Sequence, residues 1–320
     1  MREAKNLHGR IPRMNCSVVI PVYRGEATLE ALVERLGAVL PSVTEQFEVV
    51  LVNDGSPDES WALIQRLSQR YPWVRGISLS RNYGQENATL CGILESRYDV
   101  IATMDDDLQH RPEELPRLLN KLSEGYDVVY GVPRVRRQSW WKSLSAVIVK
   151  RIIAWSMGMR AVRDLSAFKV FRADLKETFG AMTGRDVLID VLLSWITANF
   201  ASVEIEEQPR THGKSNYDLF KLVKVSLRAM TNYTTIPLRF ASILGFFFTI
   251  VGLFVLIYVL TVYFALGSIP GFTFLASVIT MFSGVQLFGL GIIGEYLARL
   301  FERSSGRPPY AVRERVGGPR

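Results

Sequence analysis

From residue 16 onward the chain alternates short, predominantly apolar runs with longer stretches in which apolar residues recur every three or four positions. CSVVIPVY is rich in β-branched residues and halts at Pro21 and Tyr23. The stretch after it, GEATLEALVERLGAVL, places Leu29, Leu32, Val33, Leu36 and Leu40 along one helical face. FEVVLVND repeats the buried-strand pattern. SPDESWALIQRLSQRY then reads as a helix opening on Ser56-Pro57-Asp58-Glu59, a combination suited to a helix N-terminus. VRGISLS and DVIATM are a third and a fourth strand, separated by the helical pattern NATLCGILESR. Apolar strands alternating with helices predict an α/β domain with a mostly parallel sheet covered on both faces. Ligands of such sheets bind at the carboxyl ends of the strands. The residues to watch are therefore Pro21/Tyr23, Asn53/Asp54, Ser80/Arg81 and Asp105/Asp107.

Beyond residue 235 the pattern changes in kind. Residues 240–294 contain no Asp, Glu, Lys or Arg, although charged residues make up 22% of the chain. A random distribution would put about a dozen charges in that stretch. Residues 244–264 are long enough to cross a bilayer as one helix at ~1.5 Å per residue. A Gly-, Ser- and Pro-containing turn at 265–272 leads to a second span at 273–293. Its Gly284, Gly289, Gly291 and Gly294 permit close helix approach, which suits a homo-oligomer. The connecting loop is uncharged, whereas Arg299, Arg303, Arg307, Arg313, Arg315 and Arg320 follow the second span. By the positive-inside rule, both termini and the large domain are expected on the cytoplasmic side of the cell membrane. The expected division is a tail at 1–15, an α/β domain at 16–235, a two-helix anchor at 238–298 and a basic tail at 299–320. This excludes a disordered chain, a purely soluble single domain and a polytopic carrier.

Composition narrows the chemistry. The net charge of +7 and pI of about 9.4 would suit nucleic acid, but the basic residues interleave with apolar, membrane-type segments, so no nucleic-acid partner is expected. Cys16 and Cys91 match no metal or redox spacing and are expected to be buried thiols. The basic N-terminus has no apolar run behind it and is not a secretory signal. No G-x-G-x-x-G follows the first strand and no G-x-x-x-x-G-K-[ST] occurs, which argues against dinucleotide oxidoreductases and P-loop nucleotidases. What stands out is Asp105-Asp106-Asp107-Leu108-Gln109 after an apolar strand. In extended backbone Asp105 and Asp107 would face one ligand and Asp106 the other way. Two carboxylates and the Gln109 carbonyl make an oxygen-rich site for Mg²⁺ or Mn²⁺, completed by phosphate oxygens. A helix N-terminus enriched in acids is the plainer reading of the same residues. His110, directly after them, is expected on an exposed loop.

VVIPVY, VVLVNDGSPDES, LSRNYGQENA and MDDDLQHRPEELPRLL, at these intervals, resemble a family-2 glycosyltransferase of the GT-A fold. GIIGEYLARLFERSSGRPPYAV at the end of the second span narrows the resemblance to the polyprenyl-phosphate glycosyltransferases. That group includes dolichol-phosphate mannose synthases, bactoprenol glucosyltransferases and undecaprenyl-phosphate aminoarabinose transferases. The resemblance covers residues 17–312, and SRNYGQ is nearest the aminoarabinose branch. It implies a Rossmann-like GT-A domain followed by two transmembrane helices. The implied activity is metal-dependent, inverting transfer of one sugar from a UDP- or GDP-linked nucleotide-sugar to a polyprenyl phosphate. Carried over position by position, Pro21, Tyr23, Val52, Asp54, Arg81, Met104, Asp105 and Asp106 would line the nucleotide-sugar site. Arg81 serves equally well as a tie between strand ends. Asp107, Gln109 and Asp105 would hold the metal, and Asp105, Asp107 and Arg134 would carry catalysis.

Three positions depart from the family pattern. Arg24-Gly25 stands where Asn-Glu is usual, with Glu26 displaced by one. Asp106 replaces the usual Ala. Lys214 precedes Ser215 where the order is usually reversed.

The acceptor side is basic. Eight cations and no acid lie between Asp127 and Asp164, interleaved with Trp140-Trp141 and an apolar face. Segments at about 139–159 and 217–236 have the composition of helices lying in the headgroup layer. Arg134, Arg137 and Ser139 match the family's acceptor-phosphate residues, with Arg210 and Lys214 beside them. A phosphomonoester is largely ionised at neutral pH, its second pKa being ~6, so it attacks without a general base. Asp186 and Asp190 are the residues placed to serve as a base if one is needed. Two further readings stay open from sequence: a membrane glycosyltransferase with a glycan or diacylglycerol acceptor, and a non-catalytic nucleotide-sugar-binding scaffold.

Overall fold

The strand alternation sorts itself onto the two faces of one sheet. The computed structural model describes residues 14–134, 166–181, 187–206, 208, 235–266 and 271–318. These divide into two compact units, one holding the described residues up to 208 together with 306–318, the other holding 235–305. The first unit holds β1 (Cys16–Val22), α1 (Leu29–Val43), β2 (Phe47–Asn53), α2 (Ser60–Arg70), β3 (Val74–Leu79), α3 (Gln85–Glu95) and β4 (Val100–Thr103). After these come α4 (Leu115–Ser123), β5 (Val128–Pro133), β6 (Lys169–Arg172), a 3-10 segment (Ala173–Ala181), α5 (Ile189–Ile196) and β7 (Phe200–Ile205). Its last strand is β8 (Val312–Val316).

The described strands form one eight-stranded sheet in the order β7-β5-β6-β4-β1-β2-β3-β8. β1 is parallel to both β2 and β4, β2 to β3, and β5 to β7. β6 is antiparallel to β4 and β5, and β8 to β3, so the sheet is mixed but mostly parallel. In β1 and β2, Val18, Ile20, Val49 and Leu51 pack with α1, α2 and α4. Val19, Val50 and Val52 point the other way, into a second core with α3 and α5. Strand order reverses at β1, whose neighbours are β2 on one side and β4 on the other. In open sheets such a switch point opens a crevice at the carboxyl ends.

Differences from the sequence reading have local causes. α2 starts at Ser60 rather than Ser56, because Asp58 accepts a bond from the Ser60 hydroxyl (2.7 Å) and holds the preceding residues as a turn. Part of the expected basic tail is β8, which pairs with Gly76–Leu79 and donates Arg315 to Glu95 (2.7 Å).

The second unit holds α6 (Ile236–Leu266) and α7 (Phe272–Ser304). Both are long and apolar enough to cross a membrane, with mean hydropathy 2.8 over Pro237–Ala265 and 1.3 over Met281–Glu302. Their apolar side chains, among them Phe246, Phe254, Phe264 and Leu287, are exposed. The segments at 139–159 and 217–234 lie outside the described residues.

Candidate active site

A cavity of about 410 Å³ opens at the switch point between β1 and β4. Pro21, Val22 and Tyr23 line it from the end of β1, Asp54 from the end of β2, and Asp105, Asp106 and Asp107 from beyond β4. Asn82, Gly84 and Gln85 close it from the entrance to α3.

Each carboxylate is held by a specific donor. Asp54 is 2% exposed, and its two oxygens accept the backbone N–H groups of Tyr83 (2.7 Å) and Gly84 (2.9 Å). Burial raises its pKa, and those two bonds act against the rise. Gly55, at φ +62°, lets this corner form: a Cβ there would stand 2.6 Å from the backbone of Arg81 and Asn82. Asp105 accepts a bond from the Gln85 amide at 2.6 Å. Asp107 accepts the Gln109 N–H at 3.1 Å, closing a turn in which Leu108 has φ 60°. Leu108 and Arg24 (φ 59°) are the positive-φ non-glycine residues among those described, and both flank the cavity. Such strained positions gather at ligand sites.

Asp106 corrects the alternation argument. β4 ends at Thr103, so the three acids lie beyond the extended strand. Asp106 folds back to accept the Tyr23 N–H at 3.2 Å. Burial pushes its carboxyl up to about 7, with Asp105 and Asp107 adding to the rise and the Tyr23 N–H opposing it.

Not every expected residue reaches the cavity. Val52 is fully buried against α3, and Met104, 1% exposed, lies in the other core. The Arg81 guanidinium sits 4.8 Å over the Tyr83 ring. The Gln109 backbone carbonyl accepts the N–H of Gln208, at the exit of β7, at 3.0 Å, and Arg111 pairs with Glu206 at 2.9 Å. Arg134 is exposed at the end of β5, which runs in the same direction as β4, so it stands on the same edge of the sheet. Glu26 is exposed. Arg137, Ser139, Asp186, Arg210 and Lys214 lie outside the described residues. His110 is buried, not exposed, and stacks on Phe168 at 5.3 Å.

Sequence reasoning also missed a buried polar group beside the cavity. Lys169, 4% exposed on β6, pairs with Asp190, which accepts the Tyr130 hydroxyl as well (3.1 Å). Glu86, next to Gln85, accepts the Ile189 N–H at 3.1 Å, and burial raises its pKa while Lys169 opposes the rise. Asp190 is thus committed to a cation and a hydroxyl. A charged Lys169 in an apolar strand was the available signal, since such a group is buried only with a partner.

Among the described residues no three His, Cys, Asp or Glu side chains converge to hold a metal ion by themselves. Mg²⁺ and Mn²⁺ take one or two carboxylates from the protein and complete their shell with substrate phosphates and water. Asp105 and Asp107, both on the cavity wall, supply oxygens of that kind.

The family model of glycosyl transferase family 2 matches residues 17–171. The undecaprenyl-phosphate 4-deoxy-4-formamido-L-arabinose transferase of Pseudomonas paraeruginosa is 36% identical over 305 residues, covering 94% of this chain and 89% of that protein. The protein of the same name from Shewanella sediminis is 34% identical, covering 94% and 92%. Among solved structures, glucosyl-3-phosphoglycerate synthase from Mycobacterium tuberculosis, in complex with Mn²⁺, UDP and phosphoglyceric acid, superimposes with TM-score 0.51 at 18% identity. The match covers 68% of this chain and 76% of that one. Mannosyl-3-phosphoglycerate synthase from Rubrobacter xylanophilus gives the same score and identity over 68% and 72%. These two likenesses show the GT-A fold.

Proposed function

The chain belongs to the family-2 GT-A polyprenyl-phosphate glycosyltransferases, and from that membership we propose that it moves one sugar from a nucleotide-sugar to a polyprenyl phosphate at the cytoplasmic membrane face. The observation that carries the donor half is the cavity at the β1/β4 switch point, with Tyr23 on one wall and three carboxylates on the other. Tyr23, 45% exposed, offers a ring for the base. Asp107 and Asp105, with Gln109 beside them, would hold Mg²⁺ or Mn²⁺. The reading extends to this chain the Mn²⁺ and UDP named for the M. tuberculosis synthase. The ion would supply neutralising charge at the departing diphosphate.

The acceptor half follows from its chemistry. A phosphate oxygen of the lipid attacks the anomeric carbon, the bond from that carbon to the nucleotide diphosphate breaks, and the single displacement inverts the centre. The attacking oxygen is already ionised, so no side chain has to take a proton. Asp190, bound to Lys169 and Tyr130, need not act as a base. Arg134, on the same sheet edge, would pair with the acceptor phosphate, with Arg137, Ser139, Arg210 and Lys214 assigned to the same task. What this chain contributes is positioning and fixed charge.

Two supports bear on the membrane. α6 and α7 are apolar over spanning lengths. β8 is hydrogen-bonded to β3, which supports placing the segment after α7 on the same side as the catalytic sheet, as two spans would. The division into catalytic domain, two-helix anchor and basic C-terminal segment is part of this proposal.

The test is mass spectrometry of the lipid product made by detergent-solubilised enzyme from undecaprenyl phosphate and a panel of nucleotide-sugars. UDP-4-deoxy-4-formamido-L-arabinose comes first, because the relatives are named for that sugar. A polyprenyl monophosphate sugar, cleaved by mild acid, is expected. Asp107→Ala is expected to abolish its formation while the protein still inserts into membranes. Full activity of that variant, or an acid-stable glycoside as product, would overturn the reading.

A further inference from the structure

We propose that Asp106 and Gly25 form a matched pair that positions Tyr23 against the nucleotide base. The inference rests on the donor-site reading above and deepens it. The loop leaving β1 offers three successive N–H groups, each with a different acceptor. Those of Arg24 and Gly25 go to hydroxyls before and at the start of α2, Ser56 at 3.1 Å and Ser60 at 3.0 Å. The Tyr23 N–H alone goes to the acidic motif, at the Asp106 carboxylate 3.2 Å away. Asp106 is therefore the tie between the wall carrying the aromatic ring and the wall carrying the candidate metal ligands. It acts through Tyr23, as a positioning residue.

The space that the Asp106 carboxylate occupies exists only because residue 25 has no side chain. A Cβ on Gly25 would stand 2.7 Å from the Asp106 Oδ2 and 2.9 Å from the Val22 Cγ1. The first contact is with the very oxygen that accepts the Tyr23 N–H. Adding even one methyl at position 25 therefore displaces that bond. Removing the carboxylate at position 106, conversely, vacates the volume that a methyl at position 25 would enter. The Gly25 N–H bond to Ser60, and the Gly25 carbonyl, which accepts from Leu29 (3.0 Å), fix this segment so that it cannot swing aside. Two departures from the family pattern, unrelated when read along the chain, are one steric and electrostatic unit in space.

The experiment is a double-mutant cycle on the full chain in detergent, reading the Kd of UDP with Mn²⁺, the donor KM and kcat, and thermal melting. Asp106→Ala and Gly25→Ala are each expected to weaken UDP binding and raise the donor KM about tenfold, the effect of losing one hydrogen bond. kcat should change less than about threefold. In the Asp106→Ala background, Gly25→Ala should add much less than it costs in the wild type, because the clash with Asp106 is gone and only the 2.9 Å contact with Val22 remains. Asp106→Asn keeps an acceptor for the Tyr23 N–H and is expected to restore Kd to within about threefold of wild type. Losses that multiply to about a hundredfold in the double variant, or a neutral Gly25→Ala, would overturn the pairing. If Gly25→Ala does not fold, the Asp106→Ala and Asp106→Asn comparison decides alone, equal losses overturning the proposal. Tyr23→Ala separates the two levels. If it leaves UDP affinity unchanged, the donor-site reading itself fails. If it weakens binding while the cycle is additive, only the pairing fails.

Discussion

Asp54→Ala tests the idea that this carboxylate builds the cavity before it meets any ligand. Both of its oxygens are engaged, by the N–H groups of Tyr83 and Gly84, at 2.7 and 2.9 Å. Hydrogen bonds to a charged group contribute about 1.5–3 kcal/mol each. Both sit partly open to solvent, which places each near the lower end, about 3 kcal/mol for the pair. A domain of this size loses roughly 2–4 °C of Tm per kcal/mol, so Asp54→Ala is expected to melt about 6–12 °C lower. Asp54→Asn keeps one acceptor but turns an amide N–H₂ toward the other donor, and is expected to fall between the two. Fluorescence-detected melting of the full chain in detergent reads the catalytic unit through Trp61 and Trp73, both packed against its core. A melting temperature for Asp54→Ala within about 2 °C of wild type would refute the reasoning. It would mean that the turn at 80–84 stands without its anchor.

Ending the chain after Ser305 removes β8, with its pairing to β3, the Glu314 bonds to Trp61 (3.1 Å) and Gln65 (3.2 Å), and the Arg315–Glu95 pair. That variant is expected to melt at least about 5 °C lower and to form larger species on size-exclusion chromatography, because the β3 edge is bare. An unchanged elution volume and Tm would show that β8 is dispensable. Cys16 and Cys91 are both buried, and burial pushes each thiol up to about 12. At pH 8 fewer than about one such thiol in a thousand is ionised, so iodoacetamide should label neither in the native protein and both in denaturant, as counted by intact-mass spectrometry. Native labelling of either would contradict the burial.

The first four strands were legible because each is dominated by apolar, largely β-branched residues and ended by a polar one, and those ends are where Tyr23, Asp54 and the three acids gather. The other four were not. β6 has four residues and carries Lys169 into the interior, which its sequence contradicts until Asp190 arrives from α5. β8, VRERV, has the charge density of a solvated tail and becomes a strand through an edge left open far earlier in the chain. The limits at the site are of the same kind. Alternation sent Asp106 away from the ligand because it assumed a strand that had already ended. Val52 and Met104 sit at the right sequence positions, but their side chains belong to the cores. Gln85 and Gly84 line the cavity and are tied to Asp105 and Asp54, from parts of the chain separated by 20 to 30 positions.

The pairing of β8 with β3 also orders events during synthesis. More than two hundred residues separate the two strands, and both apolar helices lie between them. At ~5–20 residues per second the β3 edge emerges roughly 10–50 s before its partner exists. The catalytic sheet is therefore finished last, by the segment that follows the second apolar helix. If α6 and α7 span the bilayer as proposed, a nascent chain that inserted only the first would leave β8 across the bilayer from β3 and the sheet incomplete. Under that proposal, completion of the sheet would report correct insertion, and a failed insertion would leave the β3 edge open.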